Sequence, residues 1–188
     1  MEVTTALLVA IMFITIVAAG IVNIGTALAT IFEQIGKKPL DWVLISWIIL
    51  LLLIHLNLFW ETIIILEEEE WSFAEFLFVL LGPMLLFLTS GLILTYSADE
   101  IPTFSRAHYV EVERRFFSGL CLLMIWALGA EFIFGKGAIS NAAGDLASLI
   151  LFGILAASRN ERIHAALTVV AWILILTLFV LQARGAIA

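Results

Sequence analysis

The sequence predicts an all-α polytopic membrane protein, a single bundle of six transmembrane helices that takes up residues 1–188. Hydrophobic residues make up 63% of the chain and charged residues only 13%, and the mean hydropathy is +1.15. Soluble domains contain about 45–50% apolar and about 25% charged residues. Little of the chain therefore remains for a soluble domain.

Six apolar stretches approach or exceed the length of a transmembrane helix, which needs roughly 20 residues to cross about 30 Å of hydrocarbon. The first follows an N-terminus that lacks the basic residues of a cleavable signal peptide, so we expect a transmembrane helix there. Trp42 and Trp71 open the second and third stretches, as aromatic residues at a membrane interface do. The predicted spans are Thr5–Phe32, Trp42–Leu66, Ser72–Tyr96, Phe116–Phe134, Ile139–Ser158 and Ile163–Gln182.

The basic residues of the predicted loops lie mostly on one side of the membrane. Cytoplasmic loops carry the excess of Lys and Arg, so both termini are predicted on the extracytoplasmic side. The expected location is the bacterial cytoplasmic (inner) membrane. The predicted cytoplasmic loops hold Lys37, Lys38, Arg106, Arg114, Arg115, Arg159 and Arg162, and the opposite side holds Lys136 and Arg184.

The fifth stretch is the weakest of the six. Gly137, Asn141, Gly144 and Asp145 interrupt its first half and leave Leu146–Ala157 as its continuous apolar part. Such a segment could instead be re-entrant or buried in the bundle, because irregular backbone is tolerated only away from lipid. The C-terminus would then be cytoplasmic.

His55, Asn57 and Glu61 place an imidazole, an amide and a carboxylate inside the second apolar stretch. A charge at the centre of a membrane helix costs about 2.5–3.5 kcal/mol on insertion scales, so such residues mark functional sites. Asn57 and Glu61 are four residues apart and share a helix face, whereas His55 points almost the opposite way. A helix with two polar faces is predicted to lie centrally in the bundle.

Carboxylates gather at the predicted outer face of the membrane, where few basic residues oppose them. Clustered carboxylates at a pore mouth attract cations, and several oxygen ligands together can hold a hard divalent cation. Four consecutive glutamates are also typical of a solvated loop between two spans. The predicted outer carboxylates are Glu61, Glu67, Glu68, Glu69, Glu70, Glu75, Glu131 and Asp145.

Two further features of the spans bear on function. Gly82–Pro83 lies at mid-depth in the third stretch, where proline removes a backbone donor and favours a kink, so this pair is a candidate hinge. Thr89 and Ser90 follow it in a small, polar inner half. Asn23 in the first stretch is predicted to hydrogen-bond across a helix contact or to line the inner exit of a path.

The long loop Ser97–Arg115 is predicted to contain a juxtamembrane helix that lies on anionic headgroups through its arginines. His108 and Glu111 are three residues apart there, which is far short of a metal site with three or four ligands. The formal charge of −7 argues against a nucleic-acid partner. The single cysteine, Cys121, excludes an intramolecular disulfide, and no nucleotide-binding or hydrolase motif is present.

These patterns support three hypotheses of different classes. The first is a small channel or transporter that conducts or senses cations, protons among them, through Glu61, Glu75, His55, Asn57, Glu131, Asp145 and Ser90, with Gly82 and Pro83 as the hinge. The second is a non-catalytic membrane subunit or sensor that acts through a protein partner. The third is a membrane-embedded cofactor or metal protein that uses His55 and Glu61.

The first hypothesis implies a small cation, the lipid bilayer and further copies of the chain as partners, because six helices are few for a pore in one subunit. It does not imply an enzyme. No cofactor is predicted, although the third hypothesis keeps a haem or a divalent metal open. His55 near mid-membrane, His108 in the loop and His164 at the inner end of the sixth span do not match in depth, which argues against a bis-histidine haem within one chain.

Overall fold

The chain folds into six helices in the computed structural model, which describes residues 5–60, 62, 71–94, 104–134 and 139–183. Within these ranges the regular structure is entirely α-helical, as the sequence predicts. The helices are α1 (Thr5–Gln34), α2 (Trp42–Trp60), α3 (Phe73–Leu94), α4 (Arg106–Phe134), α5 (Ile139–Ala157) and α6 (Glu161–Ala183).

Five of the helices are long and apolar enough to cross a membrane, and α5 is the one that falls short. Its apolar part is Ala143–Ala157, which at 1.5 Å per residue is about 22 Å long. This is less than the roughly 30 Å of a hydrocarbon core. The chain is thus an integral membrane protein by its helices, and a full crossing by α5 stays a prediction.

Side chains that bind free backbone amides fix where three helices begin. Asp41 accepts a hydrogen bond from the amide of Leu44 at the start of α2, 2.8 Å long. Ser72 and Glu75 form a reciprocal capping box at the start of α3. Asn160 accepts from the amide of Arg162 at the start of α6, 2.9 Å long. Each cap satisfies a donor that has no partner within its own helix.

The loops rich in basic residues meet at one end of the bundle, here named the basic end. The amide of Asp41, after α1, donates to the carbonyl of Phe104 before α4. Arg106 of α4 pairs with Glu161 at the start of α6. At the opposite end, named the acidic end, Trp71 before α3 packs against Phe134 at the end of α4. The alternation of helix directions that the sequence predicts is therefore present.

Helix α2 lies at the centre of the bundle, as its two polar faces predict. It packs against α1, α3 and α6. Trp47 on α2 is fully buried and makes edge-to-face contacts with Phe116 and Phe117 of α4 and Phe152 of α5. Such contacts contribute about 0.5–1.5 kcal/mol each beyond burial. Trp47 thus joins α2 to α4 and α5, the two helices that α2 does not otherwise contact closely.

The loop before the fourth span differs from the prediction. Arg106–Phe134 is one continuous helix, so residues 106–115 are not a separate helix on the headgroups. Tyr109 and Glu113 on this added segment are buried. The predicted helix is present but continues into the fourth span, because these two side chains find partners on α6. Contact of its arginines with headgroups stays a prediction.

Candidate functional site

His55 is buried inside the bundle with one ring nitrogen satisfied and the other not. Its imidazole is 1% exposed. The Nδ1–H group donates to the carbonyl of Leu51, one turn earlier on α2, at 2.8 Å. Nε2 is then the acceptor nitrogen of the neutral ring, and it has no hydrogen-bond partner among the described residues. An unpaired buried polar atom is rare enough in folded proteins to require an explanation.

The free nitrogen of His55 points at Gly20 of α1. A β-carbon added at Gly20 would collide with the imidazole, with Nε2 as the nearest atom. Gly20 lies near the middle of the 30-residue helix α1, which places the histidine at mid-depth. The glycine therefore supplies the space in which a polar ring is enclosed between two membrane helices.

A second buried polar cluster lies at the basic end, between α4 and α6. Tyr109, Glu113, His164 and Thr168 are each 4% exposed or less. The phenol of Tyr109 lies 2.6 Å from Nδ1 of His164. Nε2–H of His164 donates to the carbonyl of Ser158 at 3.0 Å. Nδ1 is therefore the acceptor in the neutral ring, and the Tyr109 hydroxyl donates to it.

The carboxylate of Glu113 lies 3.7 Å from Nε2 of His164. This is beyond an ordinary hydrogen bond, but it is within the distance of an ion pair. The pair lies inside the bundle at its basic end.

Bonds from this cluster reach the other helices at the basic end. The indole of Trp47 on α2 donates to the hydroxyl of Thr168, 3.0 Å away, and that hydroxyl donates to the carbonyl of His164. Arg106 lies 3.3 Å from Glu161 and 3.7 Å from Asp41, and its guanidinium lies over the Tyr109 ring. The basic ends of α2, α4 and α6 are thus joined by polar contacts.

The predicted outer carboxylates are only partly described. Glu61 and Glu67–Glu70 lie outside the described residues. Glu75 is half-buried, and its carboxylate bonds the amide of Ser72 in the capping box. Glu131 and Asp145, on the adjacent helices α4 and α5, are half-buried and interact electrostatically. Cation binding by these carboxylates stays a prediction.

The remaining predicted residues of the path are placed as follows. Gly82 and Pro83 are buried within an unbroken α3, and Gly82 leaves room for the Trp126 ring of α4. The Trp126 indole donates to the carbonyl of Phe78 at 2.7 Å. Ser90 is buried and donates to the carbonyl of Leu86, whereas Asn57 is half-buried. Bending at Gly82–Pro83 is not tested by this arrangement.

The sequence reasoning missed the cluster between α4 and α6, although a signal for it is present. Arg106, Tyr109 and Glu113 are spaced as i, i+3 and i+7, which is one helix face. The residues Glu161, His164 and Thr168 repeat the same spacing at the start of α6. His108 and Glu111, the pair that the sequence favours on this segment, lie apart from the cluster: Glu111 is exposed, and His108 lies beside the carbonyl of Ile93.

No protein-family model, curated protein or solved structure shows significant similarity to this chain. Nor does the described part of the chain contain three or more His, Cys, Asp or Glu residues grouped so that they could hold a metal ion. The candidate sites consist of buried imidazole, phenol, hydroxyl and carboxyl groups.

Proposed function

We propose that this protein moves or senses cations across the membrane and that the preferred cation is the proton. The observation that carries the proposal is the free Nε2 of His55, which is enclosed at mid-depth on the central helix. A proton needs one acceptor atom, whereas Ca²⁺ takes six to eight oxygen ligands. Histidine is also the side chain that most readily changes charge near neutral pH.

The second support is the position of the Glu113–His164 pair. It lies at the basic end of the bundle, and Trp47 connects it to the helix that carries His55. A proton leaving His55 toward the basic end would reach these titratable groups. Glu61, Glu75, Glu131 and Asp145 would concentrate cations at the other end, as an acidic vestibule does.

The orientation follows from the same two ends. The basic end is proposed to face the cytoplasm, because cytoplasmic loops carry the excess of Lys and Arg. Both termini would then lie outside, provided that α5 crosses the membrane. The membrane is proposed to be the bacterial cytoplasmic (inner) membrane.

The test is proton flux into liposomes that contain the purified protein and a pH-sensitive dye. We expect measurable flux for the unmodified chain and a loss of at least tenfold for His55→Ala, because the mid-membrane acceptor is gone. Glu61→Gln should reduce the rate at the acidic end. Leu56→Ala is the matched control, since Leu56 is the next residue and is 44% exposed.

Three results would contradict the proposal. The first is no flux through the unmodified protein. The second is flux in both His55→Ala and Glu61→Gln equal to that of the unmodified protein, and the third is a loss in Leu56→Ala as large as that in His55→Ala. Parallel K⁺ and Na⁺ gradients test the choice of ion. A larger flux of either metal ion than of protons would replace the proton with that cation.

A further inference from the structure

We propose that two copies of this chain associate through the exposed face of α1 that contains Asn23. This face, the Asn23 stripe, consists of residues spaced by three or four positions, which brings them onto one side of a helix. All of them are exposed except Thr30, which is half-buried. The stripe consists of Met12, Thr15, Ala19, Asn23, Thr26 and Thr30.

Asn23 is the residue on this face that lipid accommodates worst. It is the nineteenth residue of α1, which puts it about 5 Å from the middle of the helix and inside a hydrocarbon core about 30 Å thick. Its carboxamide carries two N–H donors and an oxygen acceptor. Polar side chains at this depth usually face protein instead of lipid.

The threonines of the stripe have no comparable need for a partner. Thr15 donates to the carbonyl of Ile11 at 2.7 Å, and Thr26 and Thr30 each donate one turn back at 3.0 Å. Asn23, by contrast, forms no hydrogen bond with any residue that the structure describes. The contact that the sequence predicts for Asn23 is thus not made within one copy of the described chain.

A second copy of the same chain fits this surface for two chemical reasons. In a two-fold symmetric pair the same patch meets itself, so Asn23 would lie opposite Asn23, and a carboxamide can both donate to and accept from its own kind. Residues 12–30 carry no charge, so two copies approach without like-charge repulsion. Ala19 is small enough to let the backbones come close, as at other membrane helix contacts.

The buried face of α1 cannot serve the same purpose. Phe13, Val17, Gly20 and Ile24 are buried, in a helix that packs against α2 and α3. The association therefore leaves the His55 site intact. It goes beyond the proposed function, because a dimer forms whether or not the protein moves protons.

The experiment is disulfide cross-linking of the purified full chain in liposomes, with Cys121→Ala as the background. Ala19→Cys places a thiol one turn before Asn23 on the stripe, and Leu122→Cys places one on α4, where Leu122 is 54% exposed. We expect oxidation to give a dimer through position 19 and little through position 122. Adding Asn23→Leu to Ala19→Cys should weaken association about three- to tenfold, the range for interhelical polar contacts.

Thermal unfolding in detergent, at a dilution where the chain is monomeric, provides the folding control, because Asn23→Leu at a position exposed in one copy should leave the midpoint unchanged. Three results would overturn the proposal: no dimer through position 19, equal cross-linking through position 122, or an unchanged dimer yield with Asn23→Leu. The liposomes contain this chain alone. If the chain stays monomeric there and cross-links through position 19 only in native membranes, the stripe binds a different protein, and the proposal is refuted.

Discussion

Buried polar residues in this bundle are accommodated by glycines on the neighbouring helix. Gly20 makes room for the His55 imidazole, and Gly119 of α4 makes room for the Thr89 side chain of α3. The two pairs join different helices by the same device. At these two glycines the packing leaves no space for an added side-chain atom. Membrane helices associate through such close van der Waals packing, with small residues at the interface.

Gly20→Ala should destabilise the protein by about 1–3 kcal/mol, because the new methyl group overpacks the His55 ring. The measurement is the unfolding transition in detergent. Gly25→Ala is the control on the same helix, since a β-carbon there meets nothing within 4 Å. The double variant Gly20→Ala/His55→Ala should recover part of the loss. Equal stability of Gly20→Ala and Gly25→Ala would contradict the contact.

Tyr109→Phe should cost about 1–3 kcal/mol of stability, because it leaves the buried Nδ1 of His164 without its donor. Glu111→Gln, two residues away on an exposed position of α4, should change stability by less than about 0.5 kcal/mol. Unfolding of all three proteins by the same method gives the comparison. A Tyr109→Phe variant as stable as the unmodified chain would show that the hydroxyl does not hold His164.

At the scale of the element, apolar length determined most of what the sequence predicted correctly. The capping residues Asp41, Ser72 and Asn160 played no part in the prediction, yet they stand close to the predicted starts of α2, α3 and α6. The sequence predicts a juxtamembrane helix before the span that begins at Phe116, whereas the two form one helix from Arg106, because the polar face of this segment packs against α6. Polar faces that meet across two helices are not visible from one helix alone.

The contact between α3 and α4 should depend on Gly82. Gly82→Ala is expected to lower the unfolding midpoint in detergent, because a β-carbon there collides with the Trp126 ring, which is also fixed by its bond to Phe78. The control is Gly91→Ala on the same helix, where an added β-carbon meets nothing within 4 Å. If the unfolding midpoint falls equally in Gly82→Ala and Gly91→Ala, the cause is a general change in helix flexibility and not the contact with Trp126.

For the whole molecule, the sequence predicts the helical bundle and the central place of α2, whereas the polar cluster at the basic end required three-dimensional contacts. His55 is predicted from the sequence as a candidate site residue, but its enclosure against Gly20 could not be read from α2 alone. The outer carboxylates Glu61 and Glu67–Glu70 lie outside the described residues, so the acidic vestibule stays a prediction.

The orientation of the molecule can be tested with single cysteines in a Cys121→Ala background. Lys38→Cys at the basic end should react with a membrane-impermeant thiol reagent only in inside-out vesicles, and Ser72→Cys at the acidic end only in right-side-out vesicles. This follows from the proposed placement of the basic loops in the cytoplasm. Labelling of Lys38→Cys from the outside would reverse the orientation.

The central claim is that the His55 ring nitrogen takes part in proton movement, and chemical rescue of His55→Ala in liposomes tests it most directly. The substitution leaves a space beside Gly20 about the size of an imidazole, so added imidazole should restore proton flux toward the unmodified rate. Pyrrole has a similar shape but no basic nitrogen and should not restore it. Equal flux in His55→Ala and the unmodified chain, or rescue by pyrrole as well as by imidazole, would contradict the account.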